Sequence, residues 1–126
     1  MAAGIDPKVR PFHTATASFA DGTDTPRHSL ERCIAVIDAH EGTIGAFVAT
    51  NLDGARAAAD EATARWKAGN PLSPIDGMPI GVKDVMETAD MVTEQGSPLF
   101  EGWKMGRDCA AVVALREAGA VVVGKT

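Results

Sequence analysis

The sequence predicts an α/β fold in which helices pack on a sheet. Apolar residues recur at helical spacing over residues 26–40 and 51–68, and the short apolar segments between helices have the length of strands. The predicted order is helix, strand, helix, strand, loop, helix, strand, which is typical of α/β architecture. The last strand candidate, residues 120–123, is apolar at every position, so we expect it to be buried on both faces.

The first helix is predicted at residues 26–40. Thr25 is a suitable N-cap, and Pro26 occupies the first helical position, where its missing N–H costs nothing. Residues 1–25 lack hydrophobic periodicity, so we expect a loosely ordered lead-in with room for one short helix. The remaining residues, 26–126, are expected to belong to one domain.

A short strand is predicted at residues 46–49 and a second helix at residues 51–68. Asn51 and Asp53 are both candidates for the N-cap of this helix. The Gly-Asn-Pro sequence at residues 69–71 is expected to end it.

The most informative segment is the strand predicted at residues 78–83, because it ends on a lysine. Side chains alternate between the faces of a strand, so Pro79, Gly81 and Lys83 lie opposite the apolar, even-numbered residues. Two compact residues beside one long cation leave room for another backbone to approach the ammonium. This pattern favours a buried, functional Lys83 over a solvated one. Asp84 is interpreted as a solvated acid, which could pair with Lys83 only if the strand ends there.

The third helix is predicted to begin at the N-cap Asp108 and to end at Gly119, before the last strand. Residues 119–126 match the spacing of a phosphate-binding P-loop, Gly-x-x-x-x-Gly-Lys-Thr. That site requires a strand, then a flexible loop, then a helix. Here a helix comes first, and the intervening Ala-Val-Val-Val is stiff and β-branched. The sequence therefore favours a helix, a C-cap glycine and a strand over a nucleotide site.

The composition argues against several classes of function. The chain has 126 residues and a net charge of −5, which disfavours a nucleic-acid surface and a polybasic membrane anchor. Aromatic residues make up only 5% and Tyr is absent, which disfavours a base-stacking platform. The longest apolar run is too short to cross a bilayer, and no apolar signal core starts the sequence. A cytoplasmic location is therefore expected.

No metal-binding or cofactor-binding residue is predicted. Cys33 and Cys109 are too few for a metal cluster or a disulfide framework, and we expect both to be small buried apolar residues. The histidines are expected at the surface, since none has the spacing of a helical zinc motif.

Four blocks of the sequence resemble the amidase signature family of hydrolases. They are the segments DGMPIGVKD at 76–84, TEQGS at 93–97, DCAAVV at 108–113 and LREAGAVVVGKT at 115–126. One block alone would be weak evidence, but four in order at believable spacing make a strong resemblance. The helices and strand predicted before them resemble the family more loosely, so the resemblance covers about residues 26–126.

The resemblance implies a mixed, mainly parallel sheet flanked by helices, in a single amidase domain several times longer than this chain. Residues 26–126 would be its N-terminal portion, apparently truncated. The family's triad is Ser–Ser–Lys, and by the match Lys83 corresponds to the lysine. Both serines would lie beyond residue 126, because Ser73 and Ser97 do not stand at those positions. Gly81 and Gln95 replace residues that are often alanine and cysteine in relatives, which leaves Lys83 intact.

The resemblance implies a hydrolase that cleaves a linear carboxylic amide through a serine acyl-enzyme, with no cofactor. Lys83 would be the proton acceptor and later donor. A lysine accepts a proton at neutral pH only when its amine is uncharged, and burial favours that form. The fragment alone is expected to be inactive. The implied partner is a small-molecule amide, with no nucleic acid and no membrane, and a homodimer is one option at full length.

Two other functions stay open. One is an amidotransferase A-type subunit of the same family, which would work with a partner and an RNA-linked substrate. The other is a non-catalytic binding domain that is complete at 126 residues.

Overall fold

The computed structural model describes residues 12–126, so the first part of the predicted lead-in lies outside the described residues. The elements in chain order are α1 (Phe12–Ala20), α2 (Pro26–Ile44), β1 (Ala49–Thr50), α3 (Leu52–Lys67), β2 (Pro79–Val82), a 3₁₀ helix at Pro98–Phe100, α4 (Ala110–Glu117) and β3 (Val121–Lys125). The predicted α/β fold and the order of its helices and strands are confirmed. The short helix for which the lead-in had room is α1.

The three strands form a mixed sheet in the order β1–β3–β2, with β3 at its centre. β2 runs parallel to β3, and β1 pairs with β3 in the antiparallel direction. The central strand is the one predicted to be buried on both faces, and every residue of β3 is buried. Helix α4 connects the two parallel strands, which places their carboxyl ends side by side.

Each face of the sheet carries its own hydrophobic cluster. On one face Val121 and Val123 pack against α2 and α3, in a cluster with Leu30, Ile34, Ala55 and Ala59. On the other face Val122 packs with Val82, Met91 and Val112, of which the last belongs to α4. The central strand is therefore covered on both sides, as its apolar sequence predicts.

Helices α2 and α3 begin at the caps that the sequence suggests. Thr25 Oγ1 accepts a hydrogen bond from the His28 N–H at 3.1 Å. Of the two candidates for α3, Asn51 is the cap, and its Oδ1 accepts from the Gly54 N–H at 3.0 Å. Both bonds satisfy N–H groups that the first turn of a helix leaves without a backbone partner.

The prediction that Asp108 caps α4 is wrong. Cys109 holds the N-cap position and makes no side-chain capping bond. The Asp108 carboxylate instead accepts a hydrogen bond from the Ala89 N–H at 2.7 Å. Its other oxygen lies 3.0 Å from Arg116 Nε near the end of α4. The acid therefore joins the preceding loop to the far end of the helix and does not cap its first turn.

Helix α1 is held by an aromatic contact. Phe19 is buried and packs edge-on against Trp66 of α3, with ring centroids 5.8 Å apart. The Trp66 Nε1–H donates to the Asp76 carbonyl at 3.0 Å, so the ring also anchors the loop before β2.

The expectation that both cysteines are buried is wrong. Cys33 lies on the solvent side of α2 and is exposed, and Cys109 is only partly buried. Across residues 12–126, no helix combines the length and the apolar character that a membrane span requires.

Candidate functional site

The candidate site lies where the carboxyl ends of β2 and β3 meet, the edge at which α/β sheets place their ligands. Two backbone hydrogen bonds bracket Lys83 there: the Thr126 N–H donates to the Val82 carbonyl at 2.9 Å, and the Asp84 N–H donates to the Thr126 carbonyl at 2.8 Å. A third bond runs from the Met86 N–H to the Lys83 carbonyl at 2.9 Å. The backbone at Lys83 is therefore fixed on both sides.

An irregularity in β3 decides which way its last side chains point. Ile80 pairs with Val122, but the next residue of β2 pairs with Gly124, so Val123 is an extra residue without a partner on β2. Such a β-bulge re-aims the side chains that follow it. Lys125 therefore lies beside its partner Val82, on the face opposite to Val123.

Lys125 is wholly buried, with 0% of its surface exposed. Its Nζ donates to Thr93 Oγ1 at 2.7 Å and to the Val92 carbonyl at 3.2 Å. It also lies 3.2 Å from Asp84 Oδ1. The ammonium thus makes two hydrogen bonds and one close contact with an opposite charge, and a buried cation requires partners of both kinds.

Asp84 ties the end of β2 to the loop that follows. It is 5% exposed, so the interpretation of a solvated acid is wrong. Its Oδ2 accepts from the Glu94 N–H at 3.1 Å, and its carbonyl accepts from the Gln95 N–H at 3.0 Å. Its ion pair is with Lys125 and not with the adjacent Lys83, because successive side chains point to opposite faces.

Lys83 itself is exposed, so the burial predicted for it is wrong for this chain. Strand β2 ends at Val82, and Lys83 follows on the face of Gly81, which is exposed as well. The glycine offers no side chain that could shield the amine. The structure does bring Lys83 to the carboxyl edge of the sheet, next to the buried pair, while its catalytic role stays a prediction.

An open depression of about 360 Å³ borders this edge. Its lining consists of Val48, Asp84, Glu94, Gly96, Ser97, Pro98 and Glu101. Gln95 adopts a left-handed backbone with φ of 54°, the only non-glycine residue of 12–126 to do so. That conformation costs about 1–3 kcal/mol, and strained residues of this kind cluster at functional sites.

The P-loop interpretation of residues 119–126 does not fit the structure. Helix α4 precedes Gly119, and the middle of the motif is strand β3 rather than an open loop. Lys125 points into the protein toward Asp84. In the described part of the chain, no group of three or more His, Cys, Asp or Glu side chains is arranged to hold a metal ion.

Ser73 and Ser97, which the sequence analysis does not assign to the triad, both make hydrogen bonds that support the local fold. Ser73 Oγ donates to the Ala118 carbonyl at 2.6 Å, and Ser97 Oγ accepts from the Leu99 N–H at 3.3 Å. Sequence reasoning missed the buried set of Asp84, Thr93 and Lys125. The available signal was Lys125 itself, directly after an apolar strand, but the bulge that turns it toward Asp84 leaves no trace in the pattern.

Comparison with protein families gives one match over most of the chain. The family model described as Amidase matches residues 28–126. The A-type subunit of the glutamyl-tRNA(Gln) amidotransferase of Anaeromyxobacter sp. (strain K) is 44% identical over 96 residues, which cover 76% of this chain and 20% of that protein. Its counterpart from Chloroflexus aurantiacus is 40% identical over 111 residues, 88% of this chain and 23% of that protein. The chain thus spans about a fifth of the length of the curated relatives it matches.

Two solved structures have a fold similar to that of this chain. The peptide amidase of Stenotrophomonas maltophilia superposes with a TM-score of 0.87 at 28% identity, over 96% of this chain and 25% of that chain. A vestigial protein complex, described as revealing the evolutionary origins of an s-triazine catabolic enzyme, gives 0.85 at 30% identity, over 92% of this chain and 26% of that chain.

Proposed function

Since the chain belongs to the amidase signature family, we propose that it is the amino-terminal part of an amidase that hydrolyses a linear carboxylic amide. One observation carries the assignment of chemistry to a residue. Lys83 stands at the carboxyl end of β2, between Val82 and Asp84, which both bond to the Thr126 backbone, at the edge that borders the depression. The closest residues on its own face are compact, which leaves space for hydroxyl groups to approach the amine.

In this proposal the uncharged amine of Lys83 accepts a proton, relayed by a bridging serine, from a nucleophilic serine. The serine oxygen bonds to the amide carbon to form an acyl-enzyme. The proton then passes to the leaving nitrogen as the C–N bond breaks, and water releases the acid. We assign neither serine to a residue of this chain, so residues 1–126 alone should not hydrolyse amides.

The burial of Lys83 is part of this proposal. Its exposed amine must lose contact with water to accept a proton at neutral pH. We propose that polypeptide beyond Thr126 covers the face of Gly81 and Lys83 and supplies the two serines.

The first test is the reading frame beyond Thr126, where a glycine- and serine-rich segment is expected. The complete polypeptide should release ammonia from simple carboxamides. Lys83→Met should reduce kcat by at least about a thousandfold, because loss of a triad member removes the proton acceptor. The matched control is Lys67→Met, which removes an exposed lysine at the end of α3 and should leave kcat unchanged. A Lys83→Met protein with parental activity would refute the assignment.

A second candidate is an amidotransferase A-type subunit, favoured by the 44% identity to a protein of that name. The two candidates differ in what activity requires. An amidase should release ammonia as a single polypeptide, whereas an amidotransferase component should need its partner chains and glutamyl-tRNA(Gln). Assays with and without these additions decide between them. The net charge of −5 makes direct RNA contact by this part of the chain the weaker expectation.

A further inference from the structure

We propose that Lys125, together with Asp84 and Thr93, is a positioning device that holds Lys83 in its working orientation. The inference rests on the proposed function, since it assigns a role relative to the triad lysine. Lys125 is not offered as a catalytic residue. It acts through the backbone on which Lys83 stands.

The connection between Lys125 and Lys83 is short and continuous. Lys125 Nζ lies 3.2 Å from Asp84 Oδ1, and Asp84 directly follows Lys83. The residue after Lys125, Thr126, makes the two backbone bonds that bracket Lys83. Lys125 is therefore joined to both arms of the corner that carries the exposed amine, to Asp84 through its ammonium and to Thr126 through the chain, and a shift of Lys125 would move that corner.

The same ammonium also fixes the loop beside the depression. It bonds to the Thr93 hydroxyl and the Val92 carbonyl, while Asp84 bonds to the next two backbone N–H groups of the loop. Gln95, whose N–H is one of them, has the left-handed backbone. The strained turn and the strand end are thus held together by one buried set of charges.

Stability alone is a weak reason for such a pair. A buried ion pair loses its hydration, and a well-packed apolar pair of similar volume is often as stable or more stable. The surroundings here are suitable for an apolar replacement, since Val82, Val122 and Met91 form the neighbouring cluster. An apolar pair could not direct the N–H groups of the loop, however, and so could not fix the geometry around Lys83.

In this proposal the charges of the pair also influence Lys83. Other charged groups on the elements around this corner include Glu94 and Glu101 of the depression, Asp90 and Lys104 on the segments beside Val92 and Thr93, and Glu41, which accepts from the Phe47 N–H. Lys125 offsets the Asp84 carboxylate. If Lys125 were removed, the Asp84 carboxylate would favour the charged, inactive form of Lys83. If the carboxylate were removed, the Lys125 ammonium would disfavour that charged form.

The experiment uses the complete polypeptide with the carboxamide it hydrolyses best. Lys125→Met should lower kcat by about a hundredfold with little change in KM, because misplacement of a catalytic group by about 1 Å has a cost of this order. The acid limb of its pH–rate profile should move to higher pH. Asp84→Asn should move the same limb to lower pH. Opposite movements are not expected from a general loss of stability.

The matched control is Asp76→Asn, which breaks another ion pair with a wholly buried carboxylate, that of Asp76 with Arg65. It should lower the melting temperature but leave the acid limb in place. If Lys125→Met behaves like this control, with an unmoved limb and parental kcat, the proposal is overturned.

A milder pair covers the case in which Lys125→Met does not fold. Thr93→Val removes the hydroxyl that accepts from Lys125, and Thr93→Ser keeps it. We expect Thr93→Val to lower kcat several-fold and Thr93→Ser to retain it; equal kcat for both overturns the proposal. A parent that hydrolyses no amide, or a fully active Lys83→Met variant, would instead refute the proposed function. Failure of the proposed function can therefore be distinguished from failure of the positioning role of Lys125.

Discussion

Asp76 and Asp84 are both buried acids, and neither could be recognised as such from its neighbours in the sequence. The Asp76 carboxylate accepts from Arg65 at 2.7 and 2.9 Å and from the Leu72 N–H at 2.9 Å. The hydrogen-bonded carboxylate raises the pKa of the Arg65 guanidinium. Each acid thus joins a loop to the element that supports it, and each depends on a partner distant in sequence.

Replacing Asp76 with Asn should be strongly destabilising. The change removes the buried counter-charge of Arg65 and leaves only the exposed Glu61 at 3.8 Å. We expect a loss of about 3 kcal/mol, the lower end for a broken buried pair. The lower end applies because the Arg65 side chain is 26% exposed. Urea unfolding measures the loss, with Asp38→Asn at an exposed position of α2 as the control. A loss below about 1 kcal/mol would show that water replaces the carboxylate.

At the residue scale, the sequence correctly placed Lys83 at the end of a strand, but it did not predict which groups surround the side chain. Alternation correctly assigned Lys83 and Val82 to opposite faces. Strict alternation along β3 would place Lys125 on the face of Val123, but the bulge between them reverses this. The interpretation of Asp84 as a solvated acid failed for the same reason. Its partner Lys125 faces it only because of that bulge.

At the scale of elements, helices α2 and α3 are joined by a cluster of partly buried ion pairs. Glu31 of α2 lies 2.9 Å from Arg56 of α3 and 2.9 Å from Arg27 on its own helix. Hydrogen bonds from Arg56 and then Arg27 lower the pKa of Glu31 to about 2. Because the pKa of Glu31 is lower in the folded protein than its ordinary value of 4.5, its ion pairs stabilise the fold fully at pH values above 4.5. This stabilisation is lost as the pH falls toward 2.

The prediction is a shallower acid transition in Glu31→Gln. The melting temperature of the parent should fall between about pH 4.5 and 2. That of the variant should fall less over the same interval, because Gln does not titrate. Other acids contribute to the parent's slope, since the pKa values of Asp21, Asp24 and Asp90 are also lowered. The measurement is the melting temperature across this pH range; identical slopes for the two proteins would contradict the expectation.

The elements themselves were largely predictable because their signals are local. Helix α2 was predicted at 26–40 and runs Pro26–Ile44, and α3 was predicted at 51–68 and runs Leu52–Lys67. Their caps and periodicity lie within a few residues of each other. The strand predicted at 46–49 is displaced, since β1 is only Ala49–Thr50. Its position is set by pairing with β3, which no local pattern encodes.

At the scale of the whole molecule, the described chain exposes a run of large apolar side chains around the 3₁₀ helix. Leu99 is 89% exposed and Trp103 48%, and Phe100 and Met105 lie in the same segment. Strand β2 is also an edge of the sheet. Exposed apolar patches and unpaired strand edges both favour association.

Isolated residues 1–126 should therefore self-associate. We expect species larger than the 13.1 kDa monomer in size-exclusion chromatography with light scattering, at micromolar concentration. Leu99→Lys should reduce the association, because it places a charge at the centre of the apolar run. The control Leu72→Lys alters an exposed leucine in a different segment and should have little effect. A monomeric parent at these concentrations would contradict the prediction.

The single extra residue in β3 also matters for anyone who wishes to rebuild this sheet. Design procedures tend to idealise strands, and a regularised version of Val121–Lys125 would turn the lysine into the layer of Leu30 and Ile34. Deleting one of the three consecutive valines would instead remove the bulge and leave the lysine opposite Val82, on the face that it occupies now. A designer therefore has to choose the number of valines and the pairing of the strand together, because neither alone decides which layer the lysine enters.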